Sequence, residues 1–171
     1  GIDHEEMLGN TLEEIAIQKT GIFKQNQEVV LGKLPTEALQ VAEVVGKAYN
    51  CDIHQFEREF KIEPFEEGFI FTNSDTRIHI PYLNLKGNYQ LENAAVALEC
   101  FLRFEKKFQL SIELSAIQES FQTVTWPGRM EVVHQSPTVI LDGAHNIHAL
   151  KRFVETVKQH GELESQHTIL F

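Results

Sequence analysis

Four short segments of the chain hold residues whose types and spacing could do chemistry. The most site-like is Asp142-Gly143-Ala144-His145-Asn146, which directly follows the apolar run Thr138-Val139-Ile140-Leu141. Loops at the carboxyl ends of strands are where ligands bind in open α/β sheets. Gly143 and Ala144 allow a tight turn, leaving Asp142, His145 and Asn146 to face a ligand. An Asx turn capping the next helix would use the same residues and need no ligand. Trp126-Pro127-Gly128-Arg129 fixes a turn directly before a guanidinium, whose fork suits phosphate oxygens or a surface acid. Lys19 shares a helical stripe with Leu12, Ile15 and Ala16, which aims its amine toward the core side. Burial disfavours the ammonium form, and a neutral amine can add carbon dioxide to give a carbamate, a carboxylate-like metal ligand. The competing reading is a lysine at a helix C-terminus, reaching out to water. Asp3-His4 sets an imidazole beside a carboxylate, a pair that can ligate a metal or simply decorate a loop.

The elements that must position these groups are legible in the same way. Thr11-Leu12-Glu13-Glu14 reads as a capping box, and Leu12, Ile15, Ala16 and Lys19 follow at helical spacing until Gly21. Glu28 to Leu31 is a short buried strand, Pro35-Thr36 opens a helix to about Tyr49, and Cys51 to Phe56 is a strand. From Phe60 to Pro81 the period changes to two, with Glu67-Gly68 and Asn73-Ser74-Asp75 as turn signals, so a small antiparallel patch is expected. Helices are expected from about Gln90 to Phe108 and from Ser111 to Phe121. Beyond Trp126-Pro127-Gly128 the pattern predicts strands at Met130 to His134 and Thr138 to Leu141, a helix to about His160, and a strand at His167 to Phe171. That order is a strand–loop–helix–strand unit of the parallel α/β kind. Trp126-Pro127 is the strongest punctuation and divides the chain into domains at 1–126 and 127–171.

Composition excludes whole classes. In 171 residues, 25 Asp+Glu against 15 Lys+Arg give a net charge of −10, leaving no basic stripe for general nucleic-acid binding. Hydrophobic residues at 42% and charged residues at 23% are those of a globular protein, which rules out disorder and collagen-like repeats. The apolar runs are too short for a membrane span, and no leader pattern precedes the first helix. Cys51 and Cys100 lack metal-type spacing and fit free thiols in a reducing cytoplasm.

Taken together, five motifs in order resemble the folylpolyglutamate synthase/dihydrofolate synthase branch of the Mur-type ATP-dependent ligases. They are Asp3-His4 with Leu8-Gly9-Asn10-Thr11; Ile15-Ala16-Ile17-Gln18-Lys19-Thr20-Gly21-Ile22; Asn93-Ala94-Ala95; Trp126-Pro127-Gly128-Arg129-Met130-Glu131; and Leu141-Asp142-Gly143-Ala144-His145-Asn146. The resemblance implies an α/β fold: the C-terminal part of a Mur-ligase-type ATPase domain with a small antiparallel patch, then the start of a Rossmann-like C-terminal domain. It implies phosphorylation of a folate or dihydropteroate carboxylate by ATP and attack of L-glutamate on the acyl phosphate. Carried over by position, His4 is a magnesium ligand and Lys19 the carbamylated lysine. Asn93, Arg129 and Asp142 are ATP contacts, and His145 lies beside the phosphates and the incoming glutamate. ATP and Mg2+ are the implied cofactors, and the full enzyme is expected to be a monomer.

Departures from the family pattern matter. The phosphate-binding Gly-Lys-Ser loop and an upstream acidic metal ligand are absent, Tyr89-Gln90 stands where His-Gln is usual, and Ile147 replaces a common Pro. The chain lacks an initiator Met and stops inside an expected strand. It is therefore expected to be an internal piece of a longer ligase, not turning over ATP by itself. Two alternatives stand beside this: a peptidoglycan ligase, where Asp-Tyr-Ala-His is the usual loop, and a non-catalytic nucleotide- or partner-binding module.

Overall fold

The computed structural model describes residues 11–159, and the described residues are mixed α/β with three small sheets. The first layer is α1 (Leu12–Thr20), β1 (Glu28–Leu31), α2 (Thr36–Ala48) and β2 (Asp52–Gln55). Both halves of the expected capping box form: Glu14 N donates to Thr11 Oγ1 at 3.1 Å and Thr11 N donates to Glu14 Oε2 at 3.3 Å. β1 and β2 pair in parallel, Glu28 opposite Asp52, with Phe23, Val29 and Ala42 as the core of this layer. Gly46 sits within α2, where glycine weakens a helix; a Cβ there would lie 2.5 Å from Ile53 Cδ1, so its absence lets helix and strand close together.

The second layer is the expected antiparallel patch: β3 (Phe60–Phe65), β4 (Gly68–Asn73) and β5 (Arg77–Ile80), in the order β3-β4-β5. Alternation buries Phe69, Phe71, Ile78 and Ile80 beneath α3 (Asn88–Phe108), whose Ala94, Ala95 and Leu98 complete the main core. One turn differs from expectation. Phe65 pairs with Gly68, so the turn residues are Glu66 and Glu67, and Gly68 already belongs to the strand. A Cβ at Gly68 would sit 2.1 Å from the Ile80 carbonyl oxygen, so that glycine serves a close backbone approach.

Next come α4 (Leu114–Thr123), β6 (Glu131–Gln135), β7 (Thr138–Leu141) and α5 (Ile147–Gln159). β6 and β7 form an antiparallel hairpin. The third strand expected for a parallel unit, His167 to Phe171, lies outside the described residues.

α3 carries one fully buried charged residue, Glu99. Its carboxylate accepts from Arg103 Nε at 2.8 Å and Asn73 Nδ2 at 2.7 Å, with His54 Nδ1 at 3.2 Å. Removing one partner of a buried pair strands the other. Arg103→Met is therefore expected to lose about 3–5 kcal/mol of stability, read by urea denaturation. A loss below about 1 kcal/mol would mean that Glu99 does not depend on this pairing.

Candidate functional site

Asp142 stitches two loops together. Its Oδ1 accepts from Ala144 N at 2.9 Å, closing the expected Asx turn, and its Oδ2 accepts from Met130 N at 2.9 Å. A third bond, Gly143 N to Gly128 O at 2.7 Å, runs beside them. The turn before Arg129 is fixed by backbone that turns left-handed at Gly128 (φ 68°) and Met130 (φ 50°). Gly143 is needed on its own side: a Cβ there would lie 3.3 Å from Arg129 Nη1, so the guanidinium rests against that backbone. Asn146 then caps α5, its Oδ1 accepting from Ala149 N at 2.8 Å.

The facing wall is the first turns of α3. Gly87 enters with φ 104°, and a Cβ would come within 2.7 Å of both Thr156 Oγ1 and the Tyr89 ring, so α5 packs directly on the helix start. Buried Gln90 accepts from Asn93 Nδ2 at 3.0 Å. Between the two walls lies a cleft of about 720 Å³ with Asn93, Arg129 and Asp142 in its lining. Three residues from separate segments thus converge. Tyr89, Arg152 and Trp126 line the same space, backed by apolar Leu83, Leu85 and Phe121. Burial raises the Tyr89 phenol above its usual range and the charge of Asp142 pushes the same way. Arg129, Arg152 and a hydrogen bond with Gln90 oppose them. The hydroxyl therefore remains a donor at neutral pH.

The other expected residues fall elsewhere. His145 is exposed and does not line this cleft; its Nδ1 lies 2.9 Å from Gly143 O. For Lys19 the expected burial is what changes. The residue lines an apolar groove of about 500 Å³ with Leu12, Ile15 and Ala16, as the stripe requires, yet its side chain is exposed. Spacing fixed the direction of the stem, but nothing among the described residues closes the groove over it. Its amine makes no hydrogen bond or ion pair with a described residue. His4 lies outside the described residues. Among those described, one trio of acid and imidazole groups converges as metal ligands could, Glu28, Asp52 and His54. The His54 ring is already engaged there, by Asp52 at 3.2 Å and Glu99 at 3.2 Å.

Arg152 and Gln90 are site residues that motif reading passed over. The available signal for Arg152 was periodic: Asn146, Ala149 and Arg152 recur every three residues along one face of α5.

No protein-family profile matches the chain. Curated relatives do. The chain is 34% identical over 164 residues to the dihydrofolate synthase/folylpolyglutamate synthase of Bacillus subtilis (strain 168), covering 93% of this chain and 38% of that one. It is 28% identical over 163 residues to the folylpolyglutamate synthase of Lacticaseibacillus casei, covering 92% and 38%. Among solved structures, an FPGS complex with AMPPCP and folate superposes with a TM-score of 0.86 at 27% identity, covering 97% of this chain and 41% of that one. Mycobacterium tuberculosis folylpolyglutamate synthase with ADP gives 0.82 at 25%, covering 92% and 37%. Over nearly all its length the chain is a homologue of folylpolyglutamate and dihydrofolate synthases, which are ligases, and shares their α/β fold. It spans about two fifths of their length.

The stitching by Asp142 is testable without any ligand. Asp142→Ala removes two bonds from backbone N–H to a carboxylate and is expected to cost about 1–2 kcal/mol. Amide exchange at Met130 and Ala144 should rise; unchanged protection at both would show that the loops hold without it.

Proposed function

We propose that this chain supplies part of the nucleotide site of an ATP-dependent amide ligase that adds L-glutamate to a folate or dihydropteroate carboxylate. The observation that carries the reading is the convergence of Asn93, Arg129 and Asp142 on one cleft. In the reaction, the acceptor carboxylate oxygen takes the γ-phosphoryl group of ATP, releasing ADP. The glutamate amine then attacks the acyl carbon, the amide forms, and inorganic phosphate leaves.

Each residue has a task that its surroundings suit. Arg129, held on a rigid turn, offers a planar fork to phosphate oxygens. Asp142 spends one lone-pair direction of each oxygen on backbone, and a carboxylate has about four such directions in all, leaving acceptors for ribose hydroxyls. Asn93 donates its amide to Gln90, so its Oδ1 is presented to the amino group of a purine. His145, exposed in the same loop as Asp142, is assigned to the phosphates and the incoming glutamate. The cleft lies between α3–α4 and the β6–β7–α5 segment, which supports a domain boundary at Trp126-Pro127, with 1–126 in the ATP-binding domain and 127–171 in the next.

For magnesium, the described residues offer Lys19, and an amine is no ligand for a hard cation. An amine without a described partner on an apolar groove fits the role as a carbamate, its oxygens acting with His4. Magnesium held there would offset phosphate charge. The full-length enzyme is read as a cytoplasmic monomer.

Two experiments test this reading. Glutamate-dependent ADP release should appear with dihydropteroate or tetrahydrofolate, and not with a peptidoglycan precursor, when the chain is extended at both ends to the length of its relatives. No release with a pterin acceptor would remove the folate assignment. In that protein Lys19→Ala should lower turnover by about 100-fold or more without rescue by bicarbonate; near-normal turnover would sink the carbamate role.

A further inference from the structure

We propose that Arg152, laid against the Tyr89 ring, is a second phosphate-binding arginine of this cleft; the inference rests on the nucleotide reading above. Arg152 projects from the same face of α5 as Asn146 and Ala149, and all three line the cleft. Its guanidinium carbon lies 5.4 Å from the centroid of the Tyr89 ring. That is a cation–π distance, and it orients a planar group without using its donors. Among the described residues those donors have no partner: the guanidinium makes no hydrogen bond or ion pair with any of them. Arg129 is in the same condition.

Charge counting within the cleft gives this arrangement a purpose. The described lining carries two guanidiniums, Arg129 and Arg152, and one carboxylate, Asp142. Arg129 alone would be cancelled by Asp142, leaving a neutral site for a polyanion. The chain as a whole carries −10, so no long-range attraction helps. Arg152 supplies the surplus within this lining, and on its other side it shares a smaller cavity with Glu92 and Glu155. A single carboxylate is satisfied by one bidentate fork, whereas a di- or triphosphate has oxygens enough for two. Tyr89 lies in the field of both arginines and gives Arg152 its ring face.

Calorimetric titration of ATP, ADP, AMP and L-glutamate into the chain and its variants tests the assignment. Arg152→Gln should weaken ATP binding by about 10- to 100-fold while changing AMP binding less than about twofold, with ADP between them. Arg152→Lys keeps the charge but not the fork and should fall between wild type and Arg152→Gln. Tyr89→Leu removes the ring beneath the guanidinium and should weaken ATP about threefold, an effect absent from Tyr89→Phe. Thermal melting of the variants checks folding, and Arg152→Lys with Tyr89→Leu still decides the question if Arg152→Gln does not fold. Equal weakening of ATP and AMP, or none while wild type binds ATP, overturns the phosphate role. A change in glutamate binding alone overturns it in favour of a carboxylate site. Failure of wild type to bind any of the three nucleotides removes the nucleotide reading itself, and this inference with it.

Discussion

Glu99 is fully buried at the centre of α3, and a carboxylate in that position must be met by donors from every direction or it will not stay there. Partners arrive from three places: Arg103 one turn along the helix and Asn73 at the end of β4 donate to it, and the His54 ring on β2 lies 3.2 Å away. A hydrophobic contact would tolerate sliding by an ångström, because burial of apolar surface has no preferred direction. Hydrogen bonds at 2.7 and 2.8 Å do not. The single charge therefore sets the rotation and height of α3 against both the parallel pair and the antiparallel patch. Arg103 passes the constraint outward to Asp75, which Lys106 also holds at 3.0 Å. Hydrogen bonds from Lys106 and Ser74 keep the Asp75 carboxyl below its ordinary range.

What the helix gains in fixed register it delivers at its other end. Asn93 lies six residues before Glu99, and Gln90 three before that, so the cleft wall inherits its position from the buried network. The opposite wall is built by a different device. There Asp142 and Gly143 bond to the backbone of the Trp126–Met130 turn, and two left-handed residues allow that turn to fold back. Gly87 brings the walls together, since any side chain at that point would strike Thr156 or Tyr89. Each wall is thus rigid within itself, and their separation depends on a contact that admits only glycine.

Much of this was legible in the sequence because the signals were local. The capping box at Thr11, the period-two patch from Phe60 and the Asx turn at Asp142 each depend on residues within a few positions of one another. The turn expected at Glu67-Gly68 falls one residue earlier, at Glu66-Glu67, because the atom that demands glycine at Gly68, the Ile80 carbonyl, lies twelve residues away. The burial expected at Lys19 is missing for a related reason. Helical spacing sets which way a side chain leaves the helix, whereas burial depends on what lies across the groove. Arg152 was passed over because a lone arginine on an amphipathic helix has no motif; its partner Tyr89 is 63 residues earlier.

An acidic chain built to hold a polyanion has to solve its electrostatics at short range. At physiological ionic strength the screening length is about 8 Å, so most of the chain's surplus acids are scarcely felt inside the cleft. The groups that line the cleft weigh most: two guanidiniums, one carboxylate and a neutral phenol, with Glu92, Glu131 and Glu155 just outside that lining. Asp142 is the acid that cannot be dispensed with, since it ties the arginine-bearing turn to its own loop. The fold therefore carries a negative charge in the cleft for structural reasons. A second arginine, steadied by an aromatic face instead of a counter-ion, offsets that charge without neutralising itself.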